Sequence, residues 1–476
     1  MVLKAAGRSV HASPIGADTA LTKTPALSLY FLDRRLSEGA VASVRIAMPT
    51  PSAHVNVFVG TQQTGNTFPG ATLPHGMAQL SPVAIPDSGG VWLWNSGYHR
   101  NQRRDPLDPL KVVQSRALRG VEQSPMQGFG HTALSGTGLN DGADFVLLPC
   151  VGGSQGCAGA VLQHDAHEEG APGYYKARVG FPSSTSGAAH VDVEVTAALR
   201  GGLLRARFGG LGERRLRVSL QTRLDALVER DSSVQLGSRP GELRGTRSSR
   251  RLHHCAADHT AYWHATTEPP FDRLERLAGG KDGKSASEGT RGLGPPVWEA
   301  VWDDAALETV TVRTFLSHVD EAGAEANALA ELPGRPFDFE GLRANATRTW
   351  DATLALASAT SADERILRTY YTALYHSFLG PTLLSDANGA YRLGGRGAVH
   401  LNAPPHHTQY STFSLWDTYR AQHVLLTLLE PELSADFAHS LLAIADVSHG
   451  RLPRWVRRPA LSDLPRSSTT SSHELP

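Results

Sequence analysis

The hydrophobic pattern of the chain changes its period once, near Glu321, and this change separates two kinds of structure. Before it, apolar and polar residues alternate in short runs, at residues 191–196, 216–220 and 308–312. Alternation with a period of two places one face of a strand in a core. Because Gly- and Pro-rich turns separate these runs, the pattern predicts an antiparallel β-sandwich.

The sequence after this point predicts helices. The first is an Ala-rich stretch from Glu321 to Leu332. Ser361 to Glu364 reads as a capping box, which opens a helix with an apolar stripe at helical spacing: Ile366, Tyr370, Leu374 and Phe378. A further helix is predicted from Trp416 to Leu429, ended by Pro431, and Ser434 is predicted to cap one that carries Phe437, Leu441, Ile444 and Ala445.

Charge and hydropathy exclude some classes of partner. The 46 acidic and 46 basic residues leave no net charge, so nothing in the composition favours nucleic acid or an anionic membrane. No run of about 18 apolar residues could form a membrane span. Lys4 and Arg8 are not followed by a clear apolar segment, so no secretory signal is evident. The compartment stays open.

The cysteines do not form a disulfide framework, because there are only three: Cys150, Cys157 and Cys255. Cys150 and Cys157 could bridge a loop, but free or buried thiols explain them equally well. Consecutive residues in a strand point to opposite faces, so His253, His254 and Cys255 cannot all reach one metal ion.

The segment from Trp416 to Arg420 brings together the side chains that bind sugars. An indole can cover the apolar face of a pyranose, and Asp417 and Arg420 can bind its hydroxyls through charge-assisted hydrogen bonds. The same residues could instead begin a core helix, with Asp417 and Arg420 paired at i and i+3. The segment alone leaves both interpretations open.

Three further motifs occur in the first half of the chain. They read NVFVGTQQTGNTFPGATLPHGMAQLSP from Asn56, SGYH from Ser96 and GFGHTALSGTG from Gly128. Together with the Trp416 segment, they resemble glycoside hydrolase family 92, the calcium-dependent exo-α-mannosidases. The resemblance runs in order from about Asn56 to about Trp455. Three positions depart from the family pattern, with a histidine for phenylalanine, a glycine for serine and an alanine for histidine: His75, Gly130 and Ala133.

The resemblance implies an α+β multidomain fold, in which an N-terminal antiparallel β-sandwich (supersandwich) precedes an (α/α)6 toroid. We count about four or five helices after Glu321, whereas such a toroid needs roughly twelve, so we expect an incomplete toroid. The expected divisions are an extension of unknown role at 1–50, the sandwich at 51–320, a linker helix at 321–345, the first part of the catalytic domain at 346–455 and a disordered tail at 456–476.

The resemblance also implies inverting hydrolysis by a Glu acid and an Asp base, with carboxyl groups about 6.5–9.5 Å apart and with Ca²⁺ holding the sugar. The motifs that carry this pair and most calcium ligands follow the position of Trp455 in the family, so we expect no catalytic or metal-binding residue in this chain. The expected substrate-binding residues are Asp417, Trp416, Arg420, Phe68, Gly70, Gly97, Tyr98 and His131.

The implied partner is a mannose-terminated oligosaccharide or a glycan on a glycoprotein. The first hypothesis is an α-mannosidase that trims terminal mannose, present here in an inactive, truncated form. A non-catalytic mannoside-binding module and a non-functional fragment are the alternatives.

Overall fold

The computed structural model describes most of the chain outside its termini and several loops. The described residues are 49–62, 65–84, 96–98, 123–136, 144–153, 157, 159–164, 167–181, 189–220, 228–252, 255–277, 297–393, 398–401, 407–448, 450 and 452, together with short strands nearer the two ends. Residues 462–476 of the tail expected at 456–476 lie outside them, as do His253 and His254.

The strands in chain order are β1 (Lys4–Ala5), β2 (Arg8–Ser9), β3 (Ala26–Phe31), β4 (Ala42–Ala47), β5 (Ala71–Thr72), β6 (Gln79–Ala84), β7 (Gln123–Gly130), β8 (Val146–Val151), β9 (Val161–Gln163), β10 (Glu169–Ala171), β11 (Tyr174–Gly180), β12 (His190–Ala197), β13 (Gly201–Gly209), β14 (Arg214–Ser219), β15 (Val228–Leu236), β16 (Glu242–Leu252), β17 (Cys255–Glu268), β18 (Arg273–Leu277), β19 (Val297–Trp302), β20 (Thr309–Ser317), β21 (Thr382–Leu383), β22 (Ala390–Arg392), β23 (Val399–Leu401), β24 (Tyr410–Ser411), β25 (Val456–Arg457) and β26 (Ala460–Leu461).

The first half of the chain forms an antiparallel β-domain with two layers. One layer has the strand order β15-β16-β17-β20-β13-β12-β11-β9, and the other has the order β18-β19-β14-β8-β7-β6-β5. Strand β7 pairs with β9 as well as with β8 and β6, so the two layers join along it. This agrees with the predicted antiparallel β-domain ahead of the helices.

The alternating runs form strands, as predicted. Val191, Val193 and Val195 are fully buried in β12, which packs against β5, β6 and β8 of the other layer. The runs at 216–220 and 308–312 coincide with β14 and the start of β20. A tight approach of the backbone occurs at Gly245, where a Cβ atom would lie 2.2 Å from the ring of the buried Trp263.

The helices are α1 (Glu321–Glu331), α2 (Phe339–Leu354), α3 (Glu364–Ser377), α4 (Leu415–Thr418), α5 (Gln422–Leu429) and α6 (Pro431–Val447), with 3₁₀ turns at Pro51–His54 and Ala355–Ala357. Helix α1 is where the sequence predicts it. Helix α2 runs without a break through the boundary expected at 345. None of the described helices is both long and apolar enough to cross a membrane.

The predicted start of α3 is wrong in its capping residue. Asp363 caps α3, with its side chain accepting from the Arg365 backbone N–H, while Ser361 bonds only to the Asp363 backbone N–H. The predicted apolar stripe of α3 is right in part: Leu374 and Phe378 are buried, whereas Ile366 is 58% exposed. The face next to this stripe also turns inward and buries Tyr371 and Tyr375. The stretch from Trp416 to Leu429 is split between α4 and α5.

Pro431 begins α6 rather than only ending the helix before it. Proline is tolerated in the first turn of a helix, where its missing N–H would have no intrahelical partner. Ser434 therefore lies inside the first turn of α6, and the residue at the capping position is Glu430. The prediction that Ser434 caps this helix is wrong.

The β-domain and the helices share a hydrophobic core at their junction. Val57, Phe68 and Leu73 from the β-domain belong to the same buried cluster as Trp350 and Tyr375 from the helices. The Trp350 indole donates a hydrogen bond of 2.7 Å to the Thr72 carbonyl. The loops that carry the first sequence motif are therefore fixed against the helical part.

Candidate substrate-binding site

The segment from Trp416 to Arg420 forms an exposed corner at α4. Trp416 and Tyr419 are 57% and 61% exposed. Asp417 is also exposed, and its carboxylate accepts a hydrogen bond from the Ser414 hydroxyl. The corner thus presents aromatic surface beside a carboxylate, which is the arrangement that suits a pyranose.

Asp417 and Arg420 do not form the ion pair that the alternative interpretation required, as both are described and no contact joins them. The Arg420 guanidinium instead lies 5.8 Å from the centre of the Tyr419 ring and donates a 3.3 Å hydrogen bond to the Tyr419 hydroxyl. The start of α4 is also not buried, because none of its four residues is fully covered. These features favour a surface role.

The local backbone explains why Trp416 is directed outward. Strand β24 pairs with β21, and Thr412, which follows it, has a positive φ of 62° and shares a 2.6 Å hydrogen bond with Thr382. Phe413 then inserts into the junction core, 1% exposed and edge-on to Phe437 at 5.9 Å. With Phe413 anchored, the first turn of α4 extends away from the core.

The motifs of the first half of the chain meet in space. The Ser96 hydroxyl donates to the Thr67 carbonyl at 3.0 Å, and the Gly136 N–H donates to the Asn66 carbonyl at 2.8 Å. Three loops separated by up to 70 residues in the sequence are therefore neighbours. Together with the junction core, they form one continuous body with the segment that leads into α4.

The glycines of these motifs have a conformational role. A Cβ atom on Gly70 would lie 2.3 Å from the Leu80 carbonyl oxygen, so no larger residue fits there. Gly97 has a φ of 85°, a conformation that residues with a side chain rarely adopt. Both glycines shape the loops. A direct contact of either with a sugar stays a prediction.

Phe68, Tyr98 and His131 are buried, with exposed fractions of 2%, 1% and 0%. Phe68 belongs to the junction core, and the His131 ring stacks on Phe145 at 4.5 Å. Burial lowers the pKa of His131 to about 3, against a smaller opposing effect of the nearby backbone of Phe145, so the ring is neutral. Their burial favours a packing role, and direct sugar contact stays a prediction.

Tyr98 belongs to a buried polar cluster that the sequence did not indicate. Its hydroxyl donates to the Glu168 carboxylate at 2.8 Å, as does that of Tyr175 at 2.6 Å, and a His164 ring nitrogen lies 3.0 Å away. Burial alone would raise the pKa of Glu168, but these hydrogen bonds hold it below its usual value. Spacing could not reveal the cluster, because Tyr98 and Glu168 are 70 residues apart.

His75, which departs from the family pattern, lies at the junction of the two parts. Its Nδ1 atom is 2.8 Å from the Pro381 carbonyl, and its ring is edge-on to Phe378 and Phe437. Burial lowers the pKa of His75 to about 4, although the hydrogen bond to Pro381 opposes this. The neutral imidazole thus occupies an aromatic position in the core.

A cluster of Glu242, His264 and Glu325 has the spacing of metal ligands, but it does not fit calcium. Arg239 and Arg244 each form ion pairs with both glutamates, so guanidinium groups already occupy the carboxylate oxygens. Calcium also takes six to eight oxygen ligands, whereas this cluster offers a histidine nitrogen. We therefore interpret it as an ion-pair network that fastens α1 to β16.

Family models match nearly the whole described chain. The glycosyl hydrolase family 92 N-terminal domain matches residues 54–317, and the family 92 catalytic domain matches residues 323–460. Among curated proteins, an uncharacterized secreted glycosidase from Arthroderma benhamiae is 30% identical over 115 residues, which are 24% of this chain and 14% of that protein.

The chain is also similar in structure to solved family GH92 mannosidases. A family GH92 α-mannosidase from Bacteroides thetaiotaomicron, also solved in complex with mannoimidazole, has a TM-score of 0.69 and 26% identity, over 87% of this chain and 52% of that one. A family GH92 inverting mannosidase from the same organism shares the fold, with a TM-score of 0.61 and 21% identity, over 85% of this chain and 50% of that one.

The chain thus spans about half the length of the solved relatives. The first family model alone covers more than half of the chain, the second continues it through the helices, and both occur in the order that the sequence motifs predict. The chain belongs to glycosyl hydrolase family 92.

Proposed function

We propose that this chain binds the terminal mannose of an oligosaccharide or glycoprotein glycan at the exposed α4 corner, as the N-terminal part of an inverting α-mannosidase. The observation that carries the proposal is the joint exposure of Trp416, Asp417 and Arg420 where the family motifs pack against the helices. The mannoimidazole complex of a solved relative supports a mannose-like ligand.

The chemistry of the corner suits a hexose. The indole of Trp416 covers the apolar face of the ring, and the second oxygen of Asp417, beyond the one bonded to Ser414, accepts from sugar hydroxyls. Arg420 supplies donors on the same side. The loops of the β-domain motifs form the other side of the proposed sugar site. The residues that fix these loops are Phe68, Gly70, Gly97, Tyr98 and His131.

We further propose that the 476-residue chain does not hydrolyse mannosides by itself. Inversion requires an acid and a base on opposite sides of the scissile bond. Among the described residues, the only hydrogen bond or ion pair that the Asp417 carboxylate makes is the one with the Ser414 hydroxyl. The family motifs expected to carry the pair and the calcium ligands have no counterpart in residues 1–476.

Helix α5 supports the proposal that the helical part is the first portion of an (α/α)6 toroid. It contains no charged residue, yet only Leu426 is fully buried, while Val424 and Leu428 are 56% and 76% exposed. A helix with apolar residues on two opposite faces is typical of the interior of a larger body.

Calorimetric titration of the chain with methyl α-mannoside tests the binding proposal. Asp417→Ala should weaken binding by about 1.5–3 kcal/mol, the contribution of a hydrogen bond to a charged group. Asp446→Ala removes an exposed carboxylate near the end of α6 and serves as the control, with affinity unchanged. Equal affinities of the Asp417 variant and the unmodified chain would overturn the assignment of the corner.

A further inference from the structure

Two of the three cysteines are joined in the structure. Cys150 and Cys157 form a disulfide bond with a Cα–Cα distance of 5.5 Å, which is close to the most common value of about 5.5–6 Å. Both residues are buried, at 0% and 2% exposure, in the core that the two β-layers share. The sequence left open whether these residues are bonded or are free thiols.

The bond lies where the chain crosses from one layer to the other. Cys150 is in β8, opposite Arg215 of β14, whereas the next strand, β9, pairs with β11 in the other layer. Cys157 lies within this crossing, which ends where the Met126 N–H donates to the Ala160 carbonyl at 2.8 Å. The disulfide therefore fixes the connection between the layers at its midpoint.

We propose that the Cys150–Cys157 disulfide is a structural bond of the β-domain, and that the chain reaches its stable form only in an oxidising compartment. The two thiols lose two protons and two electrons to one small-molecule or protein disulfide, which is reduced to two thiols as the new S–S bond forms. Because both sulfur atoms are buried after folding, the bond is protected from reductants. This inference does not depend on the proposed sugar site.

The alternative is that both cysteines remain thiols and act as small apolar residues of the core. The two cases differ in the number of thiols. A chain with the bond retains one thiol, from Cys255, whereas a fully reduced chain has three. Residues 120–175 contain no Lys or Arg, so trypsin leaves Cys150 and Cys157 in one peptide that is separate from Cys255.

The experiment uses the full chain, produced through an oxidising export pathway and unfolded under alkylating conditions without reductant. We expect one reactive thiol per chain before reduction and three after it. The tryptic peptide that contains Cys150 and Cys157 should be lighter, by two hydrogen atoms, than the same peptide with two free thiols. Three thiols before reduction would overturn the proposal. This measurement does not require any variant to fold.

Variants then test whether the bond is structural. Reductant reaches the two sulfur atoms once heating unfolds the chain, so it should lower the Tm of the unmodified chain and of Cys255→Ala by roughly 5–10 °C. The double variant Cys150→Ala, Cys157→Ala should start from the lower Tm and show no response to reductant. If the double variant lost as much Tm in reductant as the unmodified chain, the stabilising role would be excluded.

Discussion

Phe413 and Trp416 lie three residues apart and are both large aromatic residues, but they occupy opposite environments. Phe413 is 1% exposed in the junction core, whereas Trp416 is 57% exposed on α4. The burial of one makes the exposure of the other possible, because the anchored residue fixes the direction in which the helix leaves the core. The Trp416 indole is exposed beside the Asp417 carboxylate, which is why we assign it to ligand binding.

His75 allows a pH-dependent prediction at the residue scale. Its pKa is about 4 in the folded chain, below the value of about 6.5 expected when unfolded. The unfolded chain therefore binds a proton first as the pH falls, and the contribution of His75 to stability is lost from about pH 6.5 toward pH 4. His75→Phe should remove this loss, in a site lined by Phe378, Tyr410 and Phe437.

Urea unfolding at pH 7 and pH 5 measures the effect. Between these values, the unmodified chain should lose about 2 kcal/mol more of its free energy of unfolding than His75→Phe. Other buried histidines with lowered pKa values, such as His131 and His264, are common to both proteins and cancel in the comparison. Identical pH dependence of the two proteins would show that His75 does not titrate as described.

At the scale of elements, one buried amide joins α1 to β20 and to the loop that follows β21. Asn327 donates to the Leu316 carbonyl and to the Asp386 carboxylate, both at 2.8 Å, and accepts from the Ala387 N–H at 2.7 Å. Asp386 also accepts from the Ser317 hydroxyl at 2.7 Å. Burial raises the pKa of Asp386 to about 6, against these hydrogen bonds, so the carboxylate depends on its donors.

Asn327→Ala should lower the free energy of unfolding by about 2–4 kcal/mol, because it leaves a carboxylate oxygen, a carbonyl and an N–H buried without partners. Chemical denaturation measures the change. Asn345→Ala, at an exposed position of α2, is the matched control and should cost much less. Comparable losses in the two variants would argue against a special role of Asn327.

The sequence predicted elements better than their ends. Strands β12, β14 and β20 and helix α1 followed from periodicity, because one buried face imposes a regular pattern. The predictions of helix caps were wrong where two suitable residues lie close together. Ser361 and Asp363 are both good capping residues, and in the structure Asp363 caps α3. The face of α3 was predicted correctly at Leu374 and Phe378 but not at Ile366, because tertiary packing turns Tyr371 inward instead.

The candidate site was predictable only in part. The residue types at Trp416, Asp417 and Arg420 indicated sugar binding, and the structure exposes all three. The burial of Tyr98 and His131 could not be predicted, because it depends on Glu168 and Phe145, which are distant in the sequence.

At the scale of the whole molecule, the β-domain and the helices act as one body around the junction core. Sandwich residues such as Phe68 and helix residues such as Tyr375 share this core, and the loops of the family motifs and the α4 corner both border it. A mannose held at the corner would therefore be bound by a rigid platform. The sequence motifs expected to carry the catalytic pair have no counterpart in residues 1–476, so we propose that this platform binds mannose without hydrolysing it.

One measurement tests most directly whether the chain binds mannosides without hydrolysing them. A single sample of the 476-residue chain is titrated with α-1,2-mannobiose by calorimetry and then assayed for mannose release, with calcium and with a chelator. We predict saturable binding that Asp417→Ala weakens, together with mannose release no faster than in buffer. Calcium-dependent release of mannose would contradict the account, because it would require a complete catalytic pair within this chain.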